Sequence, residues 1–151
     1  MTAVQQPSWQ SSTVVAARYW HLLDDGRLQC DLCPRFCKLH EDQQGLCFVR
    51  ARQGEEMVLT TYGRSSGFCI DPIEKKPVTH FMPGSKVFSV GTTGCNWLCK
   101  YCINFDLSQR RKIEGVDITP EEVVDQAIQT GCNGSAYTYI ESNRILEQLR
   151  D

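Results

Sequence analysis

The chain has no apolar run near the roughly 20 residues that a membrane helix needs, so a bilayer is not an expected partner. It has no large charge of either sign: 16 Lys and Arg stand against 18 Asp and Glu, a net charge of −2. Binding to a phosphate backbone draws on clustered cations, so nucleic acid is not an expected partner either. The one compact basic run, Arg110-Arg111-Lys112, reads as a solvated loop. The opening residues, MTAVQQPSWQSST, lack the basic start and apolar core of a secretory signal. They read as a polar, poorly ordered lead-in reaching to about residue 17, and the chain as a whole reads as cytoplasmic.

Cysteine is abundant: the chain has nine. With no export signal, disulfides are the wrong default, and an odd count suits a fully paired framework poorly. Metal ligation in a reducing compartment accounts for them better. Seven fall into two groups. Cys95, Cys99 and Cys102 form a Cys-x3-Cys-x2-Cys triplet in GTTGCNWLCKYCINFDLS. Three thiolates on so short a loop can hold three corners of an iron–sulfur cube, and full ligation takes four, so one iron would stay open to a non-protein ligand. The spacing fits a zinc tetrahedron less well, and buried free cysteines acting as small hydrophobes are the plain alternative. Cys30, Cys33, Cys37 and Cys47 form the second group, in a loop marked by Pro34, Gly45 and EDQQ. They read as a structural tetrathiolate stapling a module too small for a large core. Zinc is the first candidate metal there and a second iron–sulfur cluster the other. Cys69 and Cys132 have no partner in spacing and read as buried thiols. His40 is a lesser candidate as a ligand.

The pattern of turns and apolar positions divides the chain at residue 85. In 18–85, Asp24-Asp25-Gly26 joins Tyr19–Leu23 to Arg27–Cys30 as a hairpin. A second β pair joins Phe48–Ala51 to Met57–Thr60 across Gly54, and Phe68–Ile70 reads as a further strand. In 86–151, Lys86–Thr92 reads as a buried strand leading into the triplet loop. A helix follows, with Thr119 as cap, Pro120 in its first position and Glu122 closing a capping box. Its apolar face would be Val123, Val124, Ala127 and Ile128, and Gly131 would stop it. Ser135–Tyr139 is the next strand, so strand, helix and strand make a parallel βαβ unit. Ser142–Leu149 reads as one more amphipathic helix. Lys75 and Lys76 read first as a solvated turn, with phosphate or substrate binding as the alternative; Asn104 and Asp106 read first as loop caps, with orientation of the triplet loop as the alternative.

Three stretches carry a resemblance: RYWHLLDDGRLQCDLCPRFCKLHEDQQGLC, then DPIEKKPVTHFMPGS, then GTTGCNWLCKYCINFDLS. In this order they resemble the radical SAM enzymes of the AmmeMemoRadiSam system, relatives of the pyruvate formate-lyase activating enzymes. The likeness runs from about Arg18 to Tyr139. It implies an α/β fold: an N-terminal Cys-rich β module, then the start (βαβα) of a partial (βα)6 barrel. It implies that Cys95, Cys99 and Cys102 hold a [4Fe–4S] cluster and that S-adenosylmethionine binds its open iron. The activity implied is formation of a 5′-deoxyadenosyl radical that abstracts hydrogen from a substrate, a protein of the same system being one candidate. Tyr101 would pack near the adenine, with ordinary core packing as the alternative, and Glu141 would meet the amino group of the nucleotide, with surface exposure on the terminal helix as the alternative. Where the family reads approximately TYNEPT, this chain has Tyr139-Ile140-Glu141-Ser142-Asn143, and it ends after two barrel strands. A C-terminally shortened form with little turnover is the resulting expectation. The rival reading is a non-catalytic zinc or iron–sulfur module; a third is an electron-transfer protein.

Overall fold

The computed structural model describes residues 14–138. Its N-terminal half holds two small antiparallel sheets. In the first, β2 (Trp20–Leu22), β3 (Leu28–Cys30) and β4 (Lys38–Leu39) lie in sequence order. The Asp24-Asp25-Gly26 turn works as its residues require: Gly26 takes φ 79°, and Leu23 N–H donates to Arg27 O at 2.8 Å. In the second sheet, β5 (Arg50–Gln53) and β6 (Glu56–Leu59) form the expected hairpin, with Gly54 at φ 62°.

The lead-in expected to reach residue 17 stops earlier. Val15–Ala16, β1, pairs antiparallel with Leu59 and Val58 of β6. Ala17 is buried and its N–H donates to Met57 O at 2.8 Å. The reason is local: Val14-Val15-Ala16-Ala17 is an apolar run beside the open edge of a short hairpin, and pairing there satisfies both. The two sheets share one core of Leu28, Leu39, Phe48, Val49, Met57 and Leu59. Cys30 and Cys47 lie within it.

A further small ladder joins β7 (Arg64–Ser65) to β10 (Val116–Asp117), tied by Arg64 Nε to Asp117 Oδ1 at 3.1 Å. The remaining sheet positions the candidate site. It has the order β11–β9–β8, with β8 Gly67–Pro72, β9 Lys86–Gly91 and β11 Gly134–Thr138. β8 pairs antiparallel with β9, Phe68 opposite Val90, while β11 runs parallel to β9, Tyr137 opposite Val90. The sheet therefore straddles the boundary at residue 85 that sequence pattern suggests. Cys69 corrects its expectation of burial: it is exposed on β8.

Helix α2 (Pro120–Gln129) makes the parallel crossover. Its capping box is complete: Thr119 Oγ1 accepts from Glu122 N–H at 3.2 Å, and Thr119 N–H donates to Glu122 Oε2 at 2.8 Å. Val123 and Ala127 pack on Phe88 and Val90, but Val124 and Ile128 are exposed. Residues 123 and 127 stack on one stripe, and their neighbours in sequence lie about 100° round the helix, so this sheet buries only half of the expected face. Thr119→Ala should destabilise the chain by about 1 kcal/mol and Thr119→Ser by far less, read from urea midpoints at constant m. Among the described residues no helix is long and apolar enough to cross a membrane. The expected helix at Ser142–Leu149 lies outside the described residues.

Candidate metal-binding loop

Strand β9 ends at Gly91, and the chain enters the triplet loop through Thr92, Thr93 and Gly94. Gly94 has φ 97°, and a Cβ on it would lie 2.5 Å from Val49 Cγ1 and 2.7 Å from Cys47 O. Only glycine combines that backbone angle with so close an approach. The base of the triplet loop is thus pressed against the segment carrying the last cysteine of the other set.

Three bonds close the loop. Gly94 N–H donates to Leu107 O at 2.9 Å. Gln109 Nε2 donates to Cys99 O at 2.9 Å. Cys102 Sγ lies 3.3 Å from Ser108 Oγ. Leu107 and Ser108 belong to the single-turn helix α1 (Phe105–Ser108), which follows the last thiol. Cys95 is buried at the strand end, and Cys99 and Cys102 are partly exposed. Around Cys95, the side-chain oxygens of Thr92, Thr93 and Asn96 are buried with no partner among the described residues. Native interiors rarely leave such atoms unsatisfied.

All nine cysteines are free thiols. Among the described residues no three His, Cys, Asp or Glu side chains are gathered into a group that could hold a metal ion. The triplet places three free thiols, the donor type an iron–sulfur cluster takes, on one loop, but they are not drawn around a centre. In the N-terminal set, Cys30, Cys33 and Cys47 are buried and Cys37 partly so. Cys30 N–H donates to Cys37 O at 2.9 Å, so two of these residues are backbone neighbours. Phe36 and Phe48, each beside a cysteine, take positive φ of 44° and 55°. Held strain of this kind tends to mark functional turns.

The aromatic and apolar side chains of the triplet loop point outward. Tyr101 is 93% exposed and Ile103 97% exposed, with Trp97 also exposed. Among the described residues nothing covers Tyr101. Glu141 lies outside the described residues. Asn104 precedes α1 without a side-chain capping bond, and Asp106 pairs with Arg110 at 2.7 Å. His40 is exposed, and His21 Nδ1 lies 2.6 Å from Asp31 Oδ2.

DPIEKKP is built where a solvated turn was the expectation. Asp71 is buried at the end of β8 and accepts from Lys75 Nζ at 2.6 Å, Lys76 Nζ at 2.7 Å and Ser89 Oγ at 2.6 Å. The Lys75 bond, then those of Lys76 and Ser89, hold its carboxyl far below the usual carboxylate range. Pro72 and the 3-10 turn Ile73–Lys75 bring both lysines back over the carboxylate. The signal available in the sequence was an Asp four and five residues before two lysines. Nothing in the sequence marked that Asp as buried.

No family model matches the chain. No solved structure matches it. A protein of Methanocaldococcus jannaschii, named only as uncharacterized, is 38% identical over 137 residues, which take in 89% of this chain and 41% of the relative. The chain thus spans about two-fifths of the length of the curated relative that it matches.

Proposed function

We infer that the chain is the cluster-bearing part of a radical SAM protein, with Cys95, Cys99 and Cys102 as ligands of a [4Fe–4S] cluster that takes S-adenosylmethionine at its open iron. The observation that carries this reading is the placement of three free thiols on one loop at the carboxyl end of β9, the first strand of a parallel βαβ unit. Sheets of this kind hold ligands at those strand ends. When bound, the cluster and nucleotide would supply one-electron reductive chemistry for hydrogen abstraction from a substrate, the electron coming from an external reductant. The chain's own residues do the positioning. The Gly94–Leu107 and Gln109–Cys99 bonds fix the loop ends, and Ser108 holds Cys102. Tyr101 and Trp97 are held outward, where they can meet a nucleotide or a protein substrate. The Cys30/Cys33/Cys37/Cys47 set is assigned a structural metal, zinc first.

The second reading is a module without catalysis in which the mostly buried thiols of the Cys30/Cys33/Cys37/Cys47 loop hold zinc. Anaerobic loading of the full chain with iron and sulfide separates the two. About four irons per chain are expected at the triplet. The Cys95/Cys99/Cys102→Ala variant should lose them, and Cys33→Ser should retain them. Unchanged iron and sulfide in the triple variant, or firmly bound zinc with no iron uptake, would overturn the assignment.

A further inference from the structure

The ladder of β3 and β4 fixes which of the N-terminal cysteines face each other. Leu28 lies opposite Leu39 and Gln29 opposite Lys38. One step further, the same register sets Cys30 opposite Cys37, in agreement with the 2.9 Å bond from Cys30 N–H to Cys37 O. Residues directly opposite in an antiparallel pair share a face, with Cα atoms about 4.5–5.5 Å apart. That separation lies inside the range of roughly 4.4–6.8 Å that a disulfide spans. Burial agrees with the shared face. Cys30 belongs to the core that Leu28 and Leu39 help to build, and Cys37 packs against that core. The connection between the two cysteines is a tight one: Phe36 N–H donates to Cys33 O at 3.1 Å, and Phe36 holds φ 44°.

The two thiols differ in access. Cys30 is 5% exposed, while Cys37 is partly exposed. Cys33 and Cys47 are buried like Cys30. A reagent from solution therefore meets Cys37 first, and the thiol placed across from it on the next strand is Cys30. An accessible thiol backed by a buried second one is the arrangement that thiol–disulfide exchange needs. The first forms a mixed disulfide, and the second resolves it.

We propose that Cys37 and Cys30 are a reversible redox pair, oxidised by a low-molecular-weight disulfide of the glutathione type. The Cys37 thiolate attacks one sulfur of the glutathione disulfide, which forms the mixed disulfide and releases one glutathione thiolate. The Cys30 thiolate then attacks the Cys37 sulfur, closes the Cys30–Cys37 bond and releases the second glutathione thiolate. The protons of the two cysteine thiols pass through solvent to the two glutathiones, so the cysteines are oxidised and the glutathione disulfide is reduced. Neither step draws on a metal. The closed bond also takes two thiols out of the tetrathiolate assigned to this loop, so oxidation and metal binding exclude each other there. Treatment of the full, metal-free chain with oxidised glutathione, followed by alkylation of the remaining thiols and tryptic cleavage, tests the pair by mass spectrometry. Cleavage after Arg35 separates the two cysteines unless a bond joins them. The expected product is residues 28–35 linked to residues 36–38, with fragment ions placing the bond at Cys30 and dithiothreitol undoing it. Cys30→Ser should stop at the glutathione adduct on Cys37. Cys37→Ser, a change at a partly exposed position, should give neither the linked peptide nor an adduct on Cys30. A bond from Cys37 to Cys33 or Cys47, a wild-type chain that stops at the adduct, or an adduct on Cys30 in Cys37→Ser would each overturn the proposal.

Discussion

Gly94→Ala is expected to destabilise the chain by roughly 2–5 kcal/mol, from overpacking of about 1–3 and left-handed backbone strain of about 1–2. The added methyl would stand 2.5 Å from Val49 Cγ1 and 2.7 Å from Cys47 O. The second contact is backbone, which cannot swing away as a side-chain end can. For a chain of this size the loss corresponds to a fall in melting temperature of roughly 10 °C. Gly134→Ala is the matched control: a Cβ there meets nothing within 4 Å, and the residue lies in β11 with no positive φ. Equal melting temperatures for the two variants would show that the close approach of Gly94 to Cys47 is wrong. Because Gly94 directly precedes Cys95, the variant should also misplace the triplet loop, seen as altered thiol accessibility at Cys95.

Asp71→Asn should cost about 3–5 kcal/mol at neutral pH, the usual result of removing one partner from a buried ion pair. The loss should come mainly through Lys76, whose side chain is 12% exposed, since that of Lys75 is 55% exposed. Lys75→Met should accordingly cost no more than about 1 kcal/mol. The pH dependence has a fixed sign. The folded Asp71 carboxyl lies far below its unfolded value, so the unfolded chain binds the proton first and stability rises with pH. The contribution is complete above the ordinary carboxylate range and declines as pH falls through and below it. Denaturation by urea at pH 7 and at about pH 3, below the ordinary carboxylate pKa of about 3.9, should show wild type and Asp71→Asn drawing together as the pH drops. A constant gap, or a variant within about 0.5 kcal/mol of wild type at pH 7, would mean that Asp71 does not organise this corner.

What could be read from sequence was set by local chemistry. Asp24-Asp25-Gly26 and Gly54 announce hairpins because only certain residues accept positive φ, and both hairpins are present. Thr119, Pro120 and Glu122 announce the start of α2 because a capping box is wholly local. The βαβ unit follows from these. What depends on a partner distant in sequence was not legible. The pairing of β8 with β9 puts Cys69 in the open, and no periodicity reports which strand takes which edge. Val124 and Ile128 are apolar on an amphipathic helix yet exposed, because burial depends on what lies across from a face. In the site, the triplet is legible by spacing alone. The contact of Gly94 with Cys47 is not, because it joins residues 47 positions apart.

The mixed sheet also sets an order of events. An antiparallel pair such as β8 and β9 closes over a short connection, whereas the parallel partner β11 must wait for the whole crossover. As the chain leaves the ribosome, β9 can therefore be docked on β8 while α2 and β11 are still unmade. The triplet cysteines then emerge from the end of a strand already held in place, with Gly94 free to seat against residues 47–49 of the earlier-formed core. Chains that have emerged from the ribosome to just past Ser108 would already possess the footing of the loop, before the crossover and its parallel strand have formed.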